Sequence, residues 1–499
     1  MSMRTYGLSG SGIDVDEMVS SLMKARRISY NNLYKKKIQL EWKKADYNTM
    51  YTAIKEFRNN TVFNSKLDST LLVRKTYSNN ESVVTVAANA DAADVSHEIT
   101  VHQLADGVKK SSSGAISGTD KTSLATQFGI SGTFDITLKN GTSSKTITVD
   151  SSKSIYEFVG QINSAGINVK ANYDATLDRF FLFTTNTGSG ASLELTDAAV
   201  TGGNFLADKL KLDTTAATGQ DAIFALDGVG STTDALDAQN LKMSSNSFTI
   251  SGVTYNLKGV GTATATVSSD TDKIVANVKS FVEAYNSILE KINNVTDEEK
   301  YSDYLPLTDE EMAEMKETQI TSWETKAKSG LLRHDSILRN LVSKMRSDLS
   351  SAISGLSGTY TSASSIGITT GDYSEGGKIY LDETKLKTAL EADPDIVKKI
   401  FGSDGDSSTT DGIAVRLYDT LQASMDNIVT VAGLTSSVTG DTTSSLAKQI
   451  NAYTTQMTDL DARLKIIEDR YYKQFDAMEV ALNQLNSQSA WLTQQFSST

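Results

Sequence analysis

Few residues in this 499-residue chain have the types and spacing that covalent chemistry requires. It has three histidines, His97, His102 and His334, and no cysteine, which excludes disulfides, thiolate metal sites and cysteine nucleophiles. His97 and His102 sit an odd number of residues apart on one alternating pattern, so they face opposite sides of a strand and cannot share a metal. Strand-surface histidines are the better reading. No His-Glu-x-x-His, Gly-x-Ser-x-Gly, Walker loop or Gly-x-Gly-x-x-Gly occurs. Gly7-Leu-Ser-Gly-Ser-Gly12 has the glycines of a phosphate loop but neither its lysine nor a preceding strand, and reads as a glycine-rich lead-in. Asp404-Gly-Asp406 lacks the downstream glutamate of a calcium loop and reads as a solvated acidic loop. Nothing singles out a carboxylate pair for glycosidase chemistry. Trp42, Trp323 and Trp491 are scattered and read as packing anchors. The residues therefore point to no enzyme: no catalytic, cofactor-binding or metal-binding residue is expected.

The informative spacing is helical. Leu446, Ile450, Tyr453, Met457, Leu460, Leu464, Ile467 and Tyr471 alternate by four and three, as a heptad seam requires. A further step of four to Phe475 is a stutter, after which Met478, Leu482, Leu485, Leu492 and Phe496 resume the frame, with Ser489 at a seam position. An unbroken helix over this stretch would be roughly 75 Å long. It cannot bury itself and must pair. A second pattern runs from Val15 to Phe57, with Val19, Leu22, Leu33, Leu40, Tyr47, Met50, Ile54 and Phe57 on one seven-residue frame and Arg26, Ser29, Lys36 and Lys43 also on it. Asp14 with Glu17 fits an N-cap, so this helix starts near Val15. The two termini are expected to meet.

Charge is divided along the chain. Residues 1–75 carry 14 Lys+Arg against 7 Asp+Glu, a net +7, leaving 34 against 54, a net −20, in the remainder. The overall −13 argues against general nucleic-acid binding. The basic block Lys24, Arg26, Arg27, Lys35, Lys36, Lys37, Lys43 and Lys44 reads better as a solvated or interhelical face than as a phosphate patch. No run of eighteen apolar residues occurs, and Met1–Gly12 lacks the apolar core of a secretory signal. A soluble protein is expected, exported by another route if it is exported.

Between the terminal helices the period changes twice. Residues 76–105 change character, with Ser82-Val-Val-Thr-Val-Ala and His97-Glu-Ile-Thr-Val-His-Gln-Leu alternating at period two; residues 107–218 are rich in Ser, Thr, Gly and Asp, with short β runs and a capping box at Ser154 and Glu157. Further strand signals end near Val267, with Gly252 suited to a tight hairpin. From Asp270 the period becomes 3.6: Ile274, Val278, Phe281, Val282, Tyr285, Ile288, Leu289 and Ile292 make one stripe ending about Asn293. Capping boxes are expected at Thr296/Glu299 and Thr308/Glu311. Helices are expected over 331–353, 382–392 and 413–431, with another starting at Pro394. The low-complexity stretch Thr435–Ser445 leads into the terminal seam.

Several stretches resemble one known family, the flagellar filament cap proteins, also called hook-associated protein 2. Gly10-Ser-Gly-Ile-Asp14 with Met18-Val-Ser-Ser-Leu22 is similar to its N-terminal signature, and Ile99-Thr-Val-His-Gln-Leu-Ala105 is similar too. Ile162-Asn163 before Val169 resembles a short motif shared with hook-associated proteins and flagellins. The most specific likeness runs from Ser245-Asn-Ser-Phe through Thr266-Val-Ser-Ser-Asp270 to Phe281-Val-Glu-Ala-Tyr-Asn286. Tyr304-Leu-Pro-Leu-Thr-Asp-Glu310, Ala327-Lys-Ser-Gly-Leu-Leu332 and Ile366-Gly-Ile368 before Asp393-Pro394-Asp395 extend it and resemble the cap proteins of Gram-positive bacteria.

The resemblance implies an α+β multidomain protein: long N- and C-terminal coiled-coil helices forming a stalk, a helical leg domain, and two nested β-rich domains in mid-chain. The segments are 1–45 and 436–499 for the terminal coiled coils, 46–80 and 271–435 for the leg, 81–107 and 216–270 for the inner β domain, and 108–215 for the outer α+β domain. It implies a homo-oligomeric ring at the filament tip, reached through the flagellar type III apparatus, that inserts flagellin. Implied partners besides itself and flagellin are the hook–filament junction protein and an export chaperone, with no nucleic acid and no membrane. The seam residues expected to serve assembly are Val19, Leu22, Leu33, Leu40, Leu460, Leu464, Ile467 and Leu485. The alternative is a filament-tip adhesin binding mucin or host surface through the outer domain. An enzyme in residues 108–215 has no nucleophile or metal constellation behind it. A hook–filament junction protein or flagellin is disfavoured by the likeness at Ser245–Asn286.

Overall fold

The computed structural model describes residues 14–117, 120–434 and 440–497. The Gly7–Gly12 loop and the first half of the Thr435–Ser445 stretch lie outside them. The chain forms two compact units, Met1–Leu71 with Ile274–Thr499, and Leu72–Lys273.

The first unit is helical. Helix α1, Val15–Glu56, begins where Asp14 accepts a hydrogen bond from the Glu17 amide at 3.0 Å, the expected cap. It runs into a π-helical turn, Phe57–Val62, whose two end residues are buried. Helix α2, Thr271–Asp297, buries all eight residues of the expected stripe, Ile274 to Ile292. At about 1.5–3 kcal/mol for each fully buried large apolar side chain, this stripe is a major part of the core. Helices α3, Asp309–Ala313, and α4, Glu317–Lys328, follow, then α5, Ser336–Ser350. Leu338, Leu341, Met345 and Leu349 of α5 are buried, as are Ile413, Leu417, Leu421, Met425 and Ile428 of α6, Ile413–Ala432. Phe281 meets Phe401 edge-on at 5.1 Å. Helix α7, Ser445–Ser497, is 53 residues long.

Three expected boundaries move for local reasons. Thr296 is no cap: α2 continues through it, and its hydroxyl donates to the Asn293 carbonyl at 3.2 Å. The Thr308/Glu311 box is present, with amide-to-side-chain bonds of 2.8 and 3.3 Å in the two directions. Helix α5 starts at Ser336 and not at 331, because Gly330 and His334 both take positive φ and Asp335 caps the next turn. Pro394 precedes the helix Ile396–Phe401 by two residues, in a turn after Ala392.

The second unit is β-rich and has two cores. In the first, a five-stranded sheet in the order 74–78, 261–269, 95–103, 222–226, 241–243 and a three-stranded sheet in the order 247–250, 253–257, 84–88 bury Val84, Ile99, Phe224 and Tyr255 together. The hairpin at Gly252 is present: Ile250 pairs with Val253, and the two residues between them, Ser251 and Gly252, have φ of 50° and 80°. Strand Arg74–Ser78, unmarked in the sequence, pairs with Gly261–Ser269, so the chain enters this unit at Leu72. The second core lies within 108–212, where Phe158 contacts Phe180 at 5.8 Å and Phe205 at 5.4 Å. Around it lie four-stranded and three-stranded sheets and the helix Ile155–Asn163, whose Ser154/Glu157 capping box forms in both directions. The connections between the two cores pass at 105–107 and 217–221. There Asn246 holds the Ala105 amide and carbonyl at 2.7 and 2.8 Å, and a Cβ on Gly219 would meet the Asp106 carbonyl at 2.5 Å.

Candidate assembly interface

The two terminal helices pair, and they pair antiparallel. At one end Lys44 of α1 binds Asp441, just before α7, at 2.8 Å; at the other, Tyr472 donates to Asp16 at 3.0 Å. Between these ends Val19, Met23 and Leu464 form a small buried cluster, with Val15, Tyr30, Ile467, Tyr471, Tyr472 and Phe475 packed on it. Arg26 donates to the Tyr471 hydroxyl at 3.3 Å.

This seam keeps half of the expected α1 frame and shifts the rest by one residue. Val19 is buried, Leu33 and Leu40 are half-buried, and Arg26 reaches α7. Leu22 is 41% exposed, and Met23 takes its place. Likewise Tyr30 packs where Ser29 was expected, and Lys44 is buried where Lys43 was expected. Leu22 drew the frame because it is the stronger apolar residue; only the run Met23–Tyr30–Lys37–Lys44 would have signalled the true face. On α7, Leu464 is buried, Ile467 and Leu460 are half-buried, and Leu485 is 60% exposed. None of residues 476–496 is buried, although Met478, Val480, Leu485, Trp491, Leu492 and Phe496 are apolar.

Part of the basic block reaches other elements, through Lys24, Arg26, Lys35 and Lys44, whereas Lys37 pairs with Glu41 of its own helix. Lys44, 6% exposed at its side chain, pairs with Asp441, and Ser444 adds a hydroxyl bond of 2.6 Å to the same carboxylate. Lys44 first, then Ser444, hold the Asp441 carboxyl well below the usual range. On the opposite face Lys35 binds Glu311 at 2.6 Å and Lys24 binds Glu314 at 3.5 Å. Sequence reading missed these acidic partners; the signal was the acidic run 309–314 in a chain whose N-terminus is basic. Nearby, burial and then the Glu298 carboxylate push the Asp46 pKa from 3.8 to about 6.

The histidines are separate. His97 bonds Asp227, His102 the Ser231 carbonyl at 2.7 Å, and His334 Arg339 at 2.5 Å. Among the described residues no three His, Asp or Glu come together as a metal site, and no helix is long and apolar enough to cross a membrane.

Among the described residues α7 extends past its contacts with α1 and carries apolar residues to Phe496, a surface of the kind that assembly uses. Comparison with known proteins identifies the assembly. Two family models match, "Flagellar hook-associated protein 2 C-terminus" over residues 219–487 and "Flagellar hook-associated protein 2 N-terminus" over 11–107. The flagellar hook-associated protein 2 of Halalkalibacterium halodurans is 33% identical, over 99% of this chain and all of that one. That of Escherichia coli K12 is 29% identical over 98% of this chain and 97% of its own. The crystal structure of the D1-D2-D3 domains of the Escherichia coli flagellar cap protein FliD shares the fold, with a TM-score of 0.56 over 82% of this chain at 20% identity. The chain belongs to the flagellar hook-associated protein 2 family. It is a structural cap protein of the bacterial flagellar filament tip and not an enzyme. These relatives lend no support to an adhesin.

Proposed function

We propose that copies of this chain form a ring at the filament end beneath which exported flagellin is inserted and retained. In this reading residues 1–45 and 436–499 are coiled-coil segments that form a stalk and engage filament helices. Residues 46–71 and 271–435 make a helical leg that meets flagellin, the strand at 74–78 belonging to the β-rich unit and not to the leg as expected. Residues 81–107 with 216–270, and the outer domain 108–215, make the contacts between copies. The observation that carries the reading is the length of α7 beyond its pairing with α1. About 22 residues, some 33 Å of helix, extend past Phe475 with exposed Leu485, Trp491 and Phe496. An apolar helical stripe in water needs a partner helix. Before export the same stripe needs cover, which is the service of an export chaperone. The hook–filament junction protein is the surface the first cap would meet.

Substituting Leu485→Glu tests it. Secretion of the variant with no filament elongation is the expected result; wild-type filament length would refute the role given to this stripe.

A further inference from the structure

Helix α1 has a second covered face. At 100° per residue, Lys24, Ile28, Asn31, Lys35, Ile38 and Trp42 fall within about 40° of one line along α1, nearly opposite the line that meets α7. Ile28 on this line is 59% exposed. What contacts the line further along is the segment 298–335, and its grip is electrostatic. Glu311 holds Lys35, Glu314 holds Lys24, and Lys328 sits 4.8 Å over the Trp42 ring. The Lys24 pair is open to solvent, where such pairs contribute little. Asp46 and Glu298 put two carboxylates in repulsion at the same junction.

The segment is thinly buried: α3 buries no residue and α4 only Ala327, with Leu307 and Leu332 as anchors near its ends. Yet it holds its own shape. Tyr304 packs on Trp323 at 4.6 Å, Lys326 lies 4.6 Å over Tyr304, and the Trp323 indole donates to the Leu305 carbonyl at 2.8 Å. Residues 298–328 carry nine Asp+Glu against four Lys, opposite in sign to α1.

We infer that residues 298–335 are a releasable acidic strap, and that the α1 face Lys24–Ile28–Lys35–Ile38–Trp42 is a docking face for an acidic amphipathic helix of an assembly partner. The strap is the template for that partner, since it already places carboxylates against Lys24 and Lys35. The docking partner rests on the assembly reading proposed above; the strap's release does not, because its contacts lie within one unit.

Hydrogen exchange on the full chain at low and high sodium chloride tests release. Amides of α3 and α4 should exchange about tenfold or more faster than those of α5, and faster again at high salt. Exchange of strap and α5 at one common, salt-independent rate would overturn it. Docking is tested with a labelled peptide of residues 305–328 added to the Glu311→Lys/Glu314→Lys variant. The peptide should bind that variant in low salt and not the wild type; no binding to a variant whose strap exchanges freely would overturn the docking face. Should the double variant fail to fold, Lys328→Glu, which removes the Trp42 contact and the Glu324 ion pair within α4, takes its place with the same two outcomes.

Discussion

Single residues decide how the first unit holds. Arg416, buried in α6, donates to the carbonyls of Asp411 at 2.7 Å, Asp348 at 3.3 Å, Ser351 at 3.2 Å and Ala352 at 3.4 Å, so one guanidinium satisfies the C-terminal end of α5. Replacing it with Met leaves those acceptors buried, and we expect a loss of about 2–4 kcal/mol in urea unfolding. Lys44 and Asp441 are a buried pair, and removing one partner strands the other charge. Lys44→Met should cost about 3 kcal/mol or more, and Lys44→Met/Asp441→Leu appreciably less, measured the same way. Asp46 acts with the opposite sign. Its folded pKa of about 6 lies above its ordinary 3.8, so the folded state binds the proton more tightly and stability falls as pH rises from about 4 through 6. Asp46→Asn should therefore gain on the order of 1 kcal/mol at pH 7, after screening at this half-buried site. It should gain nothing near pH 4. An equal gain at both pH values would remove the charge from the explanation.

Elements differ in how plainly the sequence announced them. The stripe of α2 was legible from Ile274 to Ile292 because every one of its apolar residues is buried; the buried Thr296 that continues it carries no apolar signal and was read as a cap. The hairpin at Gly252 and the box at Ser154/Glu157 were legible because turn and cap chemistry is local. The seam between α1 and α7 was legible only in outline. It contains Arg26 and Lys44, which contribute through a hydroxyl and an ion pair and leave no apolar signature. The strap's hold on α1 was illegible because charge pairs some 280 residues apart carry no period. The two halves of α7 should respond differently to the same change. Leu464→Glu buries a charge in the helix pair and should lower the melting temperature of the isolated protein, losing about 2–3 kcal/mol. The Leu485→Glu variant, altered where α7 is already exposed, should melt within about 0.5 kcal/mol of wild type. Circular dichroism on both proteins checks the contrast.

At the scale of the molecule, the chain leaves a helical unit at Leu72, builds two β-rich cores and re-enters the helical unit at Ile274. The nested order was readable from the two changes of period. The exact point of entry was not, because Arg74–Ser78 is a short strand with no apolar alternation of its own. Neither family model covers residues 108–218, yet this stretch has its own core around Phe158, Phe180 and Phe205. Capping needs no bond making. It needs helices with unsatisfied apolar faces, and α7 supplies one beyond Phe475. The most direct test is a strain lacking this protein, with filaments imaged by electron microscopy and flagellin quantified in the medium. Short or absent filaments with monomeric flagellin lost to the medium are predicted; filaments of normal length with no such loss would contradict the cap function.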